Sequence, residues 1–264
     1  MKKNIFSALL FLNMILSAAA CFAADLSVDE IVARGNKVAY YEGNDGSAQV
    51  KMTITDAQGR VRNREFQILR LNIEDGGAQK YYVYFKEPAD VRDMVYMVWK
   101  YIDRDDDRWM YLPALDLVRR IAASDKRSSF VGSNFVYEDI SGRSLDLDKH
   151  ELVGEENGLY KIKNTPKDTQ DVEFAYFYVY IDKTNFMPMR AEYYNNQDKL
   201  IKTIEALEVK DVSGYPTVMK SKAADIETGS NTVMQFGDVQ YDIGLQDDIF
   251  TERYLRRPPR KWLK

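Results

Sequence analysis

The chain has 264 residues, 45% of them hydrophobic and 30% charged, with 37 cations against 41 carboxylates and a formal net charge of −4. A mildly acidic balance argues against nucleic acid as a partner. A single cysteine excludes an internal disulfide, so the core alone must hold the fold together.

Lys2 and Lys3 form a basic start, Ile5 to Leu16 is an apolar run broken only by Ser7 and Asn13, and Ser17 to Ala20 are small. That layout predicts a secretory signal peptide over residues 1–23, with cleavage after Ala23 and export to the periplasm. Small residues before Cys21 also resemble a lipobox, although Ala18 stands where a leucine is usual; a soluble form and a form lipid-anchored through Cys21 both stay open. Beyond the leader no run of about 18 apolar residues remains to span a membrane. Residues 24–264 are expected to form one domain, since no linker divides them.

The first element of that domain is a helix. Ser27 and Glu30 have capping-box spacing, and Val28, Ile31, Val32, Val38 and Ala39 recur at helical intervals. After the turn cluster Glu42 to Gly46 the pattern changes to period two. Ala48, Val50, Met52 and Ile54 alternate with polar residues, and Asp56 to Gly59 turns the chain into Val61 to Leu71. Asp75-Gly76-Gly77 leads into Lys80 to Lys86; strands from Met94 to Ile102 and Arg108 to Leu112 flank the acidic turn at Asp103. Further strands are expected near Leu159 to Lys163, Val172 to Asp182, Met189 to Tyr194, Lys199 to Lys210, Val218 to Glu227 and Asn231 to Tyr241. Hairpin after hairpin predicts an antiparallel meander. Two strands, Met94 to Trp99 and Phe174 to Ile181, are apolar or aromatic on both alternating sets. Such a strand is covered on both faces, as in a two-layer sandwich, or lines a greasy cavity.

Catalytic chemistry lacks its parts. His150, the sole histidine, sits in the charged run Asp146 to His150 and reads as a surface residue, which leaves no triad and no multi-histidine metal site. Asp103, Asp105 and Asp107 have the spacing that opens a calcium loop, but Arg108 stands where glycine is needed and Ala114 where the bidentate glutamate belongs. No enzyme, metal or cofactor is expected. At the C-terminus Arg253, Arg256, Arg257, Arg260, Lys261 and Lys264 surround Pro258-Pro259 and Trp262. They form either a solvated tail or a docking strip for anionic lipid or a membrane partner.

The informative stretch runs from Trp109 to Ser141. It holds Trp109-Met110-Tyr111-Leu112-Pro113-Ala114-Leu115, then Arg119-Arg120-Ile121, then Ser128-Ser129-Phe130-Val131-Gly132-Ser133-Asn134-Phe135-Val136-Tyr137-Glu138-Asp139. Pro113 breaks a strand, and the long segment after it would expose several aromatics unless it folds over something apolar. With this signature the chain resembles the outer-membrane lipoprotein-sorting, or LolA-like, family, over essentially the whole exported part. The resemblance implies a strongly curved, incompletely closed antiparallel β-barrel with helices plugging its concave side. It further implies a monomeric, non-enzymatic periplasmic carrier of an acylated lipoprotein or lipid, working with an inner-membrane exporter or an outer-membrane acceptor. A sensor or adaptor that binds lipid or misfolded envelope protein and signals to a membrane partner is the alternative.

Within that frame Phe130, Val131 and Phe135 are expected in a lid, hinged at Gly132 and Gly142, and Tyr137 in the lid or wall. Met97, Trp99, Trp109, Tyr111, Phe177 and Val179 are expected in the cavity wall, on the premise that odd-numbered residues of those strands face inward, and Leu112 is expected to join the wall or lid.

Overall fold

The computed structural model describes residues 26–170 and 172–263, so the expected leader and Cys21 lie outside the described residues. The chain opens with α1, Val28–Tyr40, and its predicted cap is in place. Ser27 Oγ accepts from the Glu30 amide, and the Glu30 carboxylate accepts from the Ser27 amide at 2.9 Å.

Thirteen strands follow: β1 (Asp45–Thr55), β2 (Val61–Asn72), β3 (Gln79–Glu87), β4 (Val95–Lys100), β5 (Asp107–Leu112), β6 (Leu117–Ile121), β7 (Asp148–Glu156), β8 (Leu159–Pro166), β9 (Tyr176–Asp182), β10 (Pro188–Tyr194), β11 (Leu200–Val212), β12 (Tyr215–Asp225) and β13 (Asn231–Tyr241). They form a single sheet in the order β6-β5-β4-β3-β2-β1-β13-β12-β11-β10-β9-β8-β7. β1 pairs with β13, so the first and last strands meet in the middle while β6 and β7 end as the two edges. The sheet is curved but not closed. Residues 122–147 join the two edges, and Phe130 and Phe135 of this connector pack onto the concave side, which makes it a cover. Two short α-helices follow, α2 (Tyr137–Ser141) inside that connector and α3 (Glu252–Arg256) near the C-terminus, along with four short 3-10 helices.

Both faces are covered over β2 to β5. On the concave side Phe66, Tyr81, Val83, Phe85, Tyr96, Val98 and Met110 pack under the connector with Phe130 and Phe135. On the convex side Leu69, Tyr82, Tyr84, Val95, Met97 and Trp109 pack under Leu245, Ile249, Phe250 and Leu255 of the C-terminal segment. That segment is strapped on at its start, where the Asp45 carboxylate accepts three successive backbone N–H groups from Ile243, Gly244 and Leu245. Further on, Trp99 Nε1 donates to the Phe250 carbonyl and the Tyr82 hydroxyl to that of Tyr254, at 2.7 and 2.6 Å.

The doubly apolar pattern of β4 is thus a strand packed on both sides. That of β9 has another cause. Phe177, Val179 and Ile181 point into the concave side, while Tyr176 and Tyr178 face outward beneath the Lys163 and Lys161 ammonium groups, each 4.5 Å from a ring centroid.

Candidate functional site

Polar ties hold α1 over the concave face. At its C-terminal end the Tyr40 carbonyl accepts from Arg70 and Gln79 at 2.6 and 2.7 Å, and the Tyr41 carbonyl from Asn72 at 3.0 Å. These donors satisfy carbonyls that the helix leaves without partners. At its N-terminal end Ile31 and Val32 are buried against Ile162 of β8 and Ile181 of β9. Between the two anchors the buried Gly35 lets the helix approach Ile181, and beneath the helix lies a hollow of about 450 Å³. Its size falls within the range of about 300–1,000 Å³ usual for small-molecule sites.

The lining is mostly apolar. α1 supplies Val32, Val38, Ala39 and the Tyr40 ring; β9 and β10 supply Phe177, Val179, Ile181 and Ala191; Met234, Phe236 and Val239 of β13 complete the floor. The connector closes one side with Phe135, Ile140 and Leu145. Where α2 ends, the buried Lys100 ammonium donates to the Ser141 and Gly142 carbonyls at 2.6 and 3.2 Å and lies 5.5 Å from the Tyr40 ring centroid. Burial lowers the Lys100 pKa to about 8.

A charged cluster stiffens the same wall. Arg143 grips Asp148 through two bonds of 2.8 and 3.0 Å and also reaches Glu138 at 3.3 Å. Arg127 bonds Glu138 at 3.1 Å and pairs with Glu173, and Lys202 reaches Asp139 at 3.0 Å. Burial opposes the Arg127 charge, but the hydrogen bonds to Glu173 and the nearby Asp139 outweigh it and hold its pKa above the ordinary guanidinium range. Burial likewise pushes the Glu173 carboxyl up, and Arg127 overcomes that and holds it below the usual value. Glu138 and Asp139 close the signature stretch, and here they anchor α2 and the wall.

His150 is not on the open surface. It lines the hollow half-buried, with Nδ1 2.7 Å from Asn164 Oδ1 and Nε2 3.0 Å from the Leu145 carbonyl. Both nitrogens are engaged, which suits a support for Leu145 rather than a free base. Asp107, from the acidic turn, is taken up by Arg104 and Arg120, and no cluster of three or more potential metal ligands occurs among the described residues.

Apart from Phe130, the expected site residues divide three ways. Phe135, Phe177 and Val179 line the hollow. Leu112, Val131 and Tyr137 border a separate pocket of about 250 Å³ between the connector and β5–β6. Met97, Trp99, Trp109 and Tyr111 lie on the opposite face, in the cluster under the C-terminal segment. The parity premise holds for β9 and fails for β4 and β5, where Tyr96, Val98 and Met110 face the concave side.

Phe130 is a plug rather than a flap. It is 0% exposed and ringed by Phe66, Phe85, Tyr96 and Tyr137, with centroids 6.1, 6.0, 5.5 and 5.8 Å away. Its loop is also pinned, since the Asn134 amide donates to Thr232 Oγ1 at 2.9 Å and Asn134 Nδ2 to Ser230 Oγ at 2.8 Å. Gly132 (φ +77°) completes the tight turn of that loop; at Gly142 (φ +81°) a Cβ would stand 3.0 Å from the Tyr40 ring. The structure adds α1 as the main cover of the hollow.

An open, curved antiparallel sheet that keeps an apolar hollow beneath a bridging helix defines the LolA-like class of fold. A LolA superfamily protein from Nitrosomonas europaea shares it at a TM-score of 0.68 and 19% identity, over 87% of this chain and 99% of the other. A domain from Vibrio parahaemolyticus described as outer membrane lipoprotein-sorting is 26% identical, covering 87% of this chain and 96% of the other at a TM-score of 0.76. A DUF1329 family protein from Desulfovibrio piger is 31% identical over 85% of this chain and 96% of that one, with a TM-score of 0.79. Residues 77–257 match a family model described only as that of an uncharacterized protein. The chain belongs to the DUF1329 family, with a LolA-like fold. No curated protein matches it.

Proposed function

We propose that this protein is a periplasmic carrier that shelters the acyl chain of a lipoprotein or lipid in the hollow beneath α1. The observation that carries the reading is the apolar hollow itself, about 450 Å³, roofed by a helix anchored at both ends and lined on its floor by β9, β10 and β13. The likeness to a domain described as lipoprotein-sorting agrees with it.

The energetics suit a carrier. Burial of a methylene contributes about 0.8 kcal/mol, so a sixteen-carbon chain resists water by roughly 12 kcal/mol. A shelter must match much of that and still release its cargo. A roof that gives up some of its own apolar contacts as the chain enters lowers the net affinity. α1 fits that part: polar bonds at Tyr40 and Tyr41 fix one end, while the apolar end at Ile31 and Val32 can yield to another apolar group.

Native mass spectrometry of the protein taken from its own envelope tests the proposal. Intact acylated molecules bound one per chain are expected. Bare protein, or a hydrolysed product released over time, would speak against a carrier.

A further inference from the structure

We propose that the β5–β6 turn and the C-terminal basic segment form one docking face for an anionic phospholipid surface. This goes beyond the acyl-chain reading and does not depend on it.

The apolar part is the turn. Leu115 is 71% exposed and Leu117 46% exposed, and they flank Asp116, a left-handed residue with φ +46°. Two leucines pushed outward at a hairpin tip have no role in the core. The basic part lies against them. Arg256 of α3 donates to the Asp116 carboxylate at 2.8 Å and to its carbonyl at 3.1 Å, which joins the two segments into one surface.

Over residues 252–261 the segment carries five cations against one carboxylate, in a chain whose net charge is negative. Only Arg256 of the five takes part in an ion pair among the described residues. Among the described residues Arg253, Arg257, Arg260 and Lys261 are exposed and in no ion pair; Arg260 reaches the Tyr84 hydroxyl, and Arg253 and Lys261 lie 6.0 and 4.4 Å from the Tyr254 and Trp262 ring centroids. The segment is not a loose tail: Leu255 is fully buried, Pro259 is buried, and Gln67 donates to the Trp262 carbonyl at 3.0 Å. A fixed array of exposed cations with no carboxylate partner among the described residues, beside protruding leucines, matches a surface that is anionic outside and apolar just beneath. A nucleic acid would use the charge and leave the leucines in water. The four exposed cations are complementary to phosphate headgroups, and the leucines to the acyl region below them.

Sedimentation with vesicles tests this. The protein is expected to bind vesicles of equimolar phosphatidylglycerol and phosphatidylcholine, to bind phosphatidylcholine alone far more weakly, and to be released by high salt. About 1 kcal/mol per basic residue converts to roughly fivefold each, so the R253Q/R257Q/R260Q/K261Q variant should lose binding by several hundredfold. L115S/L117S should weaken binding in a way that salt does not mimic. All six positions are exposed and outside the hollow, so both variants should fold and take up a fluorescent fatty acid as the parent does. Equal binding to neutral and anionic vesicles, an unchanged quadruple variant, or capture by an acidic polypeptide with no vesicle binding would each overturn the inference. Loss of fatty-acid uptake in the parent protein would strike the carrier reading alone.

Discussion

Phe130→Ala separates a plug from a lid. The ring is fully buried and touches four other aromatic rings, so its removal loses transfer free energy and leaves a void that pinned neighbours fill poorly. Phe→Ala at such sites costs about 3–5 kcal/mol. For a domain of this size that corresponds to a drop of roughly 6–20 °C in Tm. Phe135, 5% exposed, borders space that is already open, so Phe135→Ala should cost only the lost burial, at most about 1.5–3 kcal/mol. Urea unfolding followed by tryptophan fluorescence measures both. Trp99, Trp109 and Trp262 sit in the cluster on the other face and report global unfolding rather than the mutated site. Fatty-acid affinity measured well below the transition should be nearly unchanged for Phe130→Ala and altered for Phe135→Ala. A Phe130→Ala protein as stable as the parent but unable to bind acyl chains would refute the assignment of Phe130 to the solid core.

Two other perturbations probe the roof. Lys100 titrates near 8 in the folded protein against an ordinary 10.5, so between these values the unfolded chain holds more protons and the Lys100 contribution to stability rises with pH. The stability of the parent minus that of Lys100→Met should increase by up to about 3 kcal/mol from pH 8 to 10.5, read from urea melts; a flat or falling difference would contradict it. Gly142→Ala forces a side chain into a left-handed backbone and against the Tyr40 ring, and should cost about 1–3 kcal/mol and loosen the α1 anchor, seen as lower Tm and faster amide exchange at Tyr41; an unchanged melt would remove Gly142 from that contact.

Much of the architecture is legible in the sequence because most strands carry a buried side. The Ser27–Glu30 cap, the Asp56–Gly59 turn and the period-two runs give α1 and eleven of the strands nearly at their boundaries. The two strands not anticipated are β6 and β7, and these are the two sheet edges. β6 shows Arg119 and Arg120, β7 shows Lys149, Glu151, Glu155 and Glu156, and only one residue of each is fully buried. Charge on an edge strand prevents pairing with other chains and also erases the alternation by which a strand is recognised. The short helices α2 and α3 are too brief to show a period.

The hollow was legible as a need and not as a place. Aromatics after Pro113 demand cover, yet which strand faces turn inward depends on pairing register, and bulges such as that between Pro188 and Arg190 shift it. The wall cluster of Arg127, Glu138, Arg143 and Asp148 escaped sequence reasoning because ionic partners at such separations carry no local pattern. The pair Glu138-Asp139 at the end of the signature was the available signal. α1 as cover needed the third dimension.

Titration with a fluorescent fatty acid, in the parent and in Ala191→Trp, tests the central idea most directly. Ala191 lies on the hollow floor between Val179 and Ile204, where an indole would take up the space an acyl chain needs. Saturable uptake of one chain per protein, abolished in a folded Ala191→Trp variant, is the predicted result. No uptake by the parent, or equal uptake by the filled variant, would show that the space beneath α1 does not hold the acyl chain.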